Sequence, residues 1–273
     1  MSRATDALQA ARRACARAAW VTGGIALDAA YATARQAAAF RARGGGRRVA
    51  TGPEGSPTVR TTSEPPRGGR PPAVVLIPGI YEPAAFLDPL RARLEERGHV
   101  VAVVEELGWN LRTVPDSAAL VAERLRELGL AGVLILAHSK GGLIGKELLV
   151  TEPSLARGMV SISTPYGGHP FSRIAPTPAL RAFRATDPVM LALAAERAAN
   201  ASIVSISAEV DPIVIGGTWL EGARNICLPV VGHFRILSHP AFLTLLDELL
   251  DEAGAGGKSP PPSGTKQQGR IVE

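Results

Sequence analysis

The chain has 273 residues, of which 46% are hydrophobic and 20% charged, a composition typical of one large globular domain or two small ones. Its two cysteines, Cys15 and Cys227, lie far apart in the sequence, which argues against a disulfide framework and a zinc-ligand pattern. The net charge of +5 is uneven: residues 1–72 hold 12 Arg against 4 acidic residues, whereas the remainder is slightly acidic.

The first predicted element is a basic, Ala-rich helical arm over residues 1–43. Apolar side chains between Trp20 and Tyr31 predict that this helix lies against a surface, either the rest of the protein or an anionic membrane. Residues 44–72 are rich in Gly, Pro, Ser and Thr, which predicts a flexible linker. The linker has too few apolar residues to belong to a core, so we expect the part of the chain after Arg70 to fold and function without the arm.

The N-terminal sequence also bears on localisation. Its longest uncharged stretch, AAWVTGGIAL, is half the length of about 20 apolar residues that a membrane span needs. Arg12-Arg13 before it and Ala30-Tyr31-Ala32 after it are features of a signal peptide, but Gly23-Gly24 interrupts the apolar run. We therefore expect an uncleaved arm on a cytoplasmic protein with a peripheral membrane contact, and export is the alternative. The few aromatic residues of the arm do not alternate regularly with its arginines, so we expect no nucleic-acid partner.

Residues 73–251 alternate between apolar runs and amphipathic segments. This alternation predicts an α/β fold: a mostly parallel sheet of about six strands flanked by helices. Asp116 is the predicted N-cap of one of these helices, and residues 252–273 are predicted to be a disordered tail. In such a sheet, ligands bind beyond the carboxyl ends of the strands.

One segment, LILAHSKGGLIGKELL at residues 134–149, places Ser139 between an apolar strand and a helix. Such a direct turn strains the backbone of its central residue and leaves the side chain exposed. Ala137 and Gly141 are small enough for the strand and the helix to approach each other. The first amides of the helix favour negative charge beside the serine oxygen. The pattern matches the nucleophile elbow G-x-S-x-G, with Ala in the first glycine position.

With this elbow, and over about residues 73–251, the chain resembles the α/β-hydrolase superfamily, especially its small bacterial lipases and esterases. The resemblance implies that Ser139 is a catalytic nucleophile. In LIPGIYEP, Pro78 replaces the usual histidine of the family, while Gly79 is kept. The resemblance then assigns the backbone N–H groups of Ile80 and Lys140 to an oxyanion hole.

The same resemblance supplies the other members of a catalytic triad. In SISAEVDPIV, Asp211 takes the position of the acid, with Glu209 as a competitor on the same strand. In LPVVGHFRILSHP, His233 takes the position of the catalytic histidine, whereas His239 is expected to start the final helix. The order Ser139, Asp211, His233 is that of the α/β-hydrolases.

The remaining histidines have other interpretations. His99 starts a predicted strand and His138 is expected to pack beside the elbow. His169 follows the fourth strand, where it either lines the pocket or has a structural role. Residues 168–200 form an insertion that either roofs an acyl pocket or packs on the sheet as a plain crossover.

The implied function is hydrolysis of a small-molecule acyl ester or lipid through an acyl-enzyme, with no cofactor and no metal. Two alternatives remain open at this stage. An acyltransferase or thioesterase would use the same triad with a different acceptor, and a non-catalytic scaffold would use the fold for binding alone.

Overall fold

The computed structural model describes residues 2–44, 71–175, 177–215 and 217–254. Most of the predicted linker 44–72 and of the predicted tail 252–273 therefore lies outside the described residues. The strands are β1 Val74–Ile77, β2 Val101–Val103, β3 Val133–His138, β4 Ala156–Ile162, β5 Ile203–Val210 and β6 Arg224–Val231. The helices are α1 Ser2–Gly44, α2 Asp88–Glu96, α3 Val114–Glu127, α4 Lys140–Thr151, α5 Pro178–Arg181, α6 Pro188–Ala195 and α7 Pro240–Gly254. Five short 3₁₀ helices connect them: Ala84–Leu87, Glu105–Leu107, Pro170–Ile174, Ala198–Ser202 and Arg235–Ser238.

The strands form one sheet of six in the order β2-β1-β3-β4-β5-β6, and every neighbouring pair is parallel. This confirms the predicted α/β architecture. All four residues of β1 and all six of β3 are buried, because helices cover both faces of the sheet. Two clusters of buried apolar side chains, one containing Ile135 and the other Leu136, form the core on the two faces.

The strand order reverses between β1 and β3. The chain leaves β1 toward β2 on one side and returns to β3 on the other side. At such a reversal the two crossovers run to opposite faces, which opens a crevice beyond the carboxyl ends of the strands. Residues 78–81 follow β1 and Ser139 follows β3, so both segments border this crevice.

The start of helix α3 differs from the prediction. The N-cap is Thr113, whose hydroxyl accepts a hydrogen bond from the backbone N–H of Asp116 at 3.2 Å. Asp116 lies inside the first turn, where its carboxylate accepts from the Thr113 hydroxyl at 2.6 Å. The prediction of Asp116 as N-cap was wrong because Pro115, which suits the first turn of a helix, lets the helix begin earlier.

The N-terminal arm is a single helix that packs on the body of the protein. The Arg35 guanidinium donates to the backbone oxygens of Ala85 and Phe86 at 2.5 and 3.0 Å. Ala39 is buried, and the Tyr31 ring meets the Phe86 ring edge to face at 6.4 Å. The sequence predicted that the arm lies against either the rest of the protein or an anionic membrane. In the described structure it packs against the rest of the protein. No described helix has the length and apolar character to cross a membrane.

The insertion between β4 and β5 consists of short helices that join the core. Phe183, Met190 and Leu193 are buried in the same apolar cluster as the inner side of α4. Leu191, on the other side of α6, is 56% exposed. This packing favours the plain-crossover interpretation of residues 168–200.

Candidate active site

Ser139 lies between β3 and α4 with the strained backbone expected of an elbow. The residue is only 7% exposed, so the prediction that the turn leaves its side chain exposed was wrong. Its φ of 51° and ψ of −122° fall in a region that residues with side chains rarely adopt. Holding a residue there costs on the order of 1–3 kcal/mol, so the surrounding structure must enforce it. The backbone N–H of Ser139 donates to the backbone oxygen of Ile162 at 2.8 Å. The backbone oxygen of Ser139 accepts from the backbone N–H of Gly142 at 3.0 Å. These hydrogen bonds fix the serine at the N-terminus of α4.

Close backbone approaches around Ser139 explain its small neighbours. A Cβ on Gly141 would lie 2.2 Å from the Ile77 oxygen, so α4 can meet the end of β1 only because residue 141 is glycine. A Cβ on Gly79 would lie 3.0 Å from the Ser139 Cβ. The loop after β1 and the elbow after β3 therefore touch each other, as the proposed oxyanion hole requires.

The loop after β1 is held by hydrogen bonds on both sides of Ile80. The Gly79 N–H donates to Glu82 Oε2 at 2.7 Å, and the Tyr81 N–H donates to the Trp109 oxygen at 2.8 Å. Tyr81 itself has a positive φ of 60°. The amide of Ile80, between these two, belongs to a loop whose path is fixed even though Pro78 replaces the usual histidine.

The second proposed oxyanion donor, Lys140, also anchors a neighbouring loop through its side chain. Its ammonium group donates to the backbone oxygen of Asn110 at 2.7 Å and to that of Arg112. The Asn110 side chain is buried and donates to the Pro78 oxygen at 2.8 Å. Burial lowers the pKa of Lys140 to about 8. The lysine side chain thus has a structural role here, and its backbone N–H is the group relevant to an oxyanion.

His233 and Asp211 form a hydrogen-bonded pair at the ends of β6 and β5. His233 Nδ1 and Asp211 Oδ2 are 2.8 Å apart, and both side chains are nearly inaccessible to solvent. The other carboxylate oxygen of Asp211 accepts from the backbone N–H groups of Ile213 and Val214, both at 2.8 Å. Burial raises the pKa of Asp211, but these hydrogen bonds and the His233 ring outweigh it and hold the pKa below its usual value. An ionised Asp211 therefore faces Nδ1 and leaves Nε2 as the free basic nitrogen of the ring.

Glu209, the competing acid, points elsewhere. Its carboxylate pairs with Arg17 of α1 at 2.9 Å, and its side chain is 36% exposed. Two residues that lie two positions apart on a strand point to the same face. Asp211, however, lies beyond the end of β5, where the chain turns toward the His233 loop, so its side chain takes a different direction from that of Glu209. Of the two acids, Asp211 is the one that contacts His233.

A buried pair that the sequence did not predict joins the loop after β1 to the loop that carries His233. His138 Nδ1 lies 2.8 Å from Glu82 Oε1, and both side chains are at most 1% exposed. On the other side of the ring, Nε2 donates to the backbone oxygen of His233 at 3.0 Å. The two histidine rings lie 4.8 Å apart. Since His138 directly precedes Ser139, this contact places the His233 loop beside the elbow.

The other histidines have structural contacts. His169 Nε2 lies 2.5 Å from the Ile213 oxygen, which ties the start of the insertion to the loop of Asp211. His239 Nδ1 accepts from the Ala241 N–H at 3.3 Å and precedes α7, as predicted. His99 Nδ1 donates to the Pro72 oxygen at 2.9 Å just before β2.

Sequence reasoning missed the roles of Glu82, of the His138 side chain and of Asp28. For Glu82 and His138, the only sequence signal was that each is a polar residue at or near the end of an apolar strand. Asp28 gave no signal, because it lies on α1 and contacts residues about 205 positions away.

Neither the family models nor the curated protein sequences contain a match to the chain. Solved structures do match it. Lipase B of Aspergillus fumigatus is 20% identical with a TM-score of 0.59, and the match covers 74% of this chain and 57% of that one. Bacillus licheniformis lipase BlEst2 is 14% identical with a TM-score of 0.57, covering 71% and 52%. A monoacylglycerol lipase of Paleococcus ferrophilus is 16% identical with a TM-score of 0.50, covering 70% and 97%.

At these identities the likeness establishes the fold. The chain has the α/β-hydrolase fold, with Ser139 at the turn between a central strand and a helix. This confirms the fold that the resemblance of the sequence motifs implied. The chain spans only a little more than half the length of the two lipases with the higher TM-scores.

Proposed function

We propose that the protein is a serine hydrolase that cleaves carboxylic esters through Ser139, His233 and Asp211. The observation that carries the proposal is the hydrogen-bonded His233–Asp211 pair, which lies beside the strained elbow that presents Ser139. The three side chains come from the ends of three parallel strands at one edge of the sheet. A serine at the start of a helix, a histidine with a free Nε2 and an ionised carboxylate are the groups that acyl transfer needs.

The mechanism follows from the position of each group. Nε2 of His233 takes the Ser139 proton while Oγ attacks the ester carbonyl carbon. Asp211 accepts from Nδ1–H, which fixes the tautomer and stabilises the imidazolium. The backbone N–H groups of Ile80 and Lys140 hold the oxyanion, each contributing about 3 kcal/mol in the transition state. His233 then returns the proton to the leaving alcohol, and water repeats the sequence on the acyl-enzyme to release the acid.

The substrate class in this proposal is a small-molecule acyl ester or lipid. Acyl transfer to an alcohol or a thiol would use the same acyl-enzyme and differ only in the acceptor. Turnover of short-chain p-nitrophenyl esters, measured with and without added alcohol or thiol, separates the two outcomes. Free acid as the main product in every case supports hydrolysis, whereas acylated acceptor as the main product supports transfer.

Labelling with a fluorophosphonate, followed by peptide mapping, tests the nucleophile. A matched control exists in Ser163, which has the same positive φ of 51° and follows the neighbouring strand β4 but does not begin a helix. We expect the label on Ser139, its loss in Ser139→Ala and its retention in Ser163→Ala. Absence of any label together with no ester turnover would favour a non-catalytic scaffold.

A further inference from the structure

The buried carboxylate of Asp28, in the middle of helix α1, holds the loop that carries His233. The backbone N–H groups of His233, Phe234 and Arg235 donate to it at 3.0, 2.7 and 2.6 Å. Asp28 is only 3% exposed. Hydrogen bonds to an ionised acceptor are about twice as strong as neutral ones. The three amides are also those at the start of the 3₁₀ helix Arg235–Ser238, which would otherwise need another acceptor.

Two glycines allow the helix to come this close. A Cβ on Gly24 would lie 2.4 Å from the Val231 Cβ, at the end of β6. A Cβ on Gly232 would lie 2.5 Å from Asp28 Oδ1, and the φ of Gly232 is 131°. One turn of α1 and the residue before His233 are therefore both shaped for the contact.

The peptide groups of His233 are thus fixed on both sides. Its N–H is held by Asp28 and its carbonyl oxygen by His138, while the ring is held by Asp211. A histidine that shuttles a proton must keep Nε2 in reach of the serine oxygen, and displacement of a catalytic group by about 1 Å can cost on the order of 100-fold in rate. Without Asp28, the loop after Gly232 would lose the acceptor that stops it from turning away from the elbow.

We propose that Asp28 is a positioning residue for His233, which makes helix α1 a working part of the active site. The inference rests on the proposed triad. It replaces the sequence-based expectation that the arm is dispensable for the chemistry.

The test compares Asp28→Ala and Asp28→Asn with a matched control on the same helix. Arg35→Gln disturbs hydrogen bonds from α1 to Ala85 and Phe86 without touching the His233 loop. Each full-length variant is assayed for kcat and KM on a soluble short-chain ester and for its thermal midpoint. The low-field proton resonance of the His233–Asp211 hydrogen bond is recorded by NMR.

We expect Asp28→Ala to lower kcat at least tenfold more than Arg35→Gln, because His233 is proposed to transfer protons in the chemical step. KM should change by less than about threefold, because the variant removes no group that is proposed to bind the substrate. The low-field resonance should broaden or shift in Asp28→Ala and stay unchanged in Arg35→Gln. Asp28→Asn keeps one acceptor oxygen, so it should fall between the native protein and Asp28→Ala. If Asp28→Ala does not fold, the same readouts on Asp28→Asn decide the matter.

The inference is overturned if the Asp28 variants match Arg35→Gln in kcat and in the resonance. It is also overturned if their loss of activity only follows loss of folded protein. Failure of the proposed function looks different: the native protein would then neither turn over esters nor take up the fluorophosphonate. In that case the resonance still reports whether Asp28 positions the His233 ring.

Discussion

The ring of His138 donates from Nε2 to the backbone oxygen of His233 across 3.0 Å. A carbonyl oxygen can only accept, so Nε2 carries a proton, and Nδ1 faces the Glu82 carboxylate at 2.8 Å. The geometry therefore fits a buried imidazolium paired with a carboxylate. Burial lowers the pKa of His138, but the charge and hydrogen bond of Glu82 and the bond to His233 outweigh it, so the pKa is raised.

This pair predicts a pH dependence of stability. A histidine whose pKa is raised on folding stabilises the protein fully below its unfolded pKa of about 6.5 and loses that contribution as the pH rises through the folded value. The difference in thermal midpoint between the native protein and His138→Gln should therefore shrink as the pH rises above about 6.5. His239→Gln is the control: burial, and then Arg235, lower the pKa of His239, so its difference should change in the opposite direction. A His138→Gln difference that stays constant or grows with pH would refute the ion pair.

Removal of the charge of Glu82 from its buried pair with His138 should lower stability more than removal of a charge from an exposed ion pair. In Glu82→Gln, the protonated His138 loses its counter-charge, and breaking a buried pair in this way costs about 3–5 kcal/mol. The Gly79 N–H also loses a carboxylate acceptor beside the proposed oxyanion hole. We expect a large drop in the free energy of unfolding, measured by denaturant titration, and a drop in kcat of the protein that remains folded.

The matched control is Glu95→Gln, whose partner Arg91 lies four residues away on the surface of α2. This variant should change the free energy of unfolding by less than about 1 kcal/mol. Equal effects of the two variants would contradict the buried pair.

Two substitutions of Ser139 separate catalysis from strain. Ser139→Ala and Ser139→Gly should both lose ester turnover by at least about 10⁴-fold, because no nucleophile remains. Glycine also relieves the positive φ of 51°, so Ser139→Gly should be more stable than Ser139→Ala by about 1 kcal/mol. Thermal unfolding of the two inactive variants provides the measurement. Equal stability would mean that the elbow is not strained, and residual turnover would mean that Ser139 is not the nucleophile.

The two acids at the end of β5 should respond differently. Asp211→Asn leaves an amide opposite Nδ1 that cannot hold the same tautomer, and kcat should fall by about 10³–10⁴-fold. Glu209→Gln removes only a surface ion pair with Arg17, and kcat should change by less than about twofold. Steady-state kinetics on a soluble ester compares them. A larger effect from Glu209→Gln would show that the acid is misassigned.

Two glycine-to-alanine substitutions, at Gly141 and at Gly23, should change the free energy of unfolding in opposite directions. Gly141→Ala puts a Cβ 2.2 Å from the backbone oxygen of Ile77 and 2.9 Å from that of Pro78, and neither atom can move without shifting β1. The variant should lose several kcal/mol of stability, in the upper range for single substitutions, together with its activity. Gly23→Ala adds a methyl group with nothing within 4 Å on the exposed face of α1 and should gain about 1 kcal/mol. Denaturant titration of both variants checks the signs, and a stable, active Gly141→Ala would contradict the tight elbow.

The sequence by itself determined the fold through local patterns, whereas the candidate triad came from the resemblance of its motifs to those of the α/β-hydrolases. Short apolar runs that alternate with amphipathic segments predict strands covered by helices on both faces. Ser139 lies in a short motif that needs a small residue two positions away on either side, here Ala137 and Gly141. His233 and Asp211 follow strands whose carboxyl ends must meet at one edge of a parallel sheet. Helix boundaries were less certain: Thr113 and Asp116 are both good caps, and only the position of Pro115 in the first turn decided between them.

The tertiary structure alone decided which groups hold the candidate catalytic side chains. Glu82 contacts His138 across 56 positions, and Asp28 contacts the His233 loop across 205 or more. No short pattern links residues so far apart, since their contact depends on how α1 and the loop after β1 pack against the sheet. The structure also distinguishes Glu209 from Asp211, because the turn after β5 brings Asp211 to His233 while Glu209 pairs with Arg17. Local motifs thus identify the candidate reacting groups, whereas the packing of distant segments fixes their geometry.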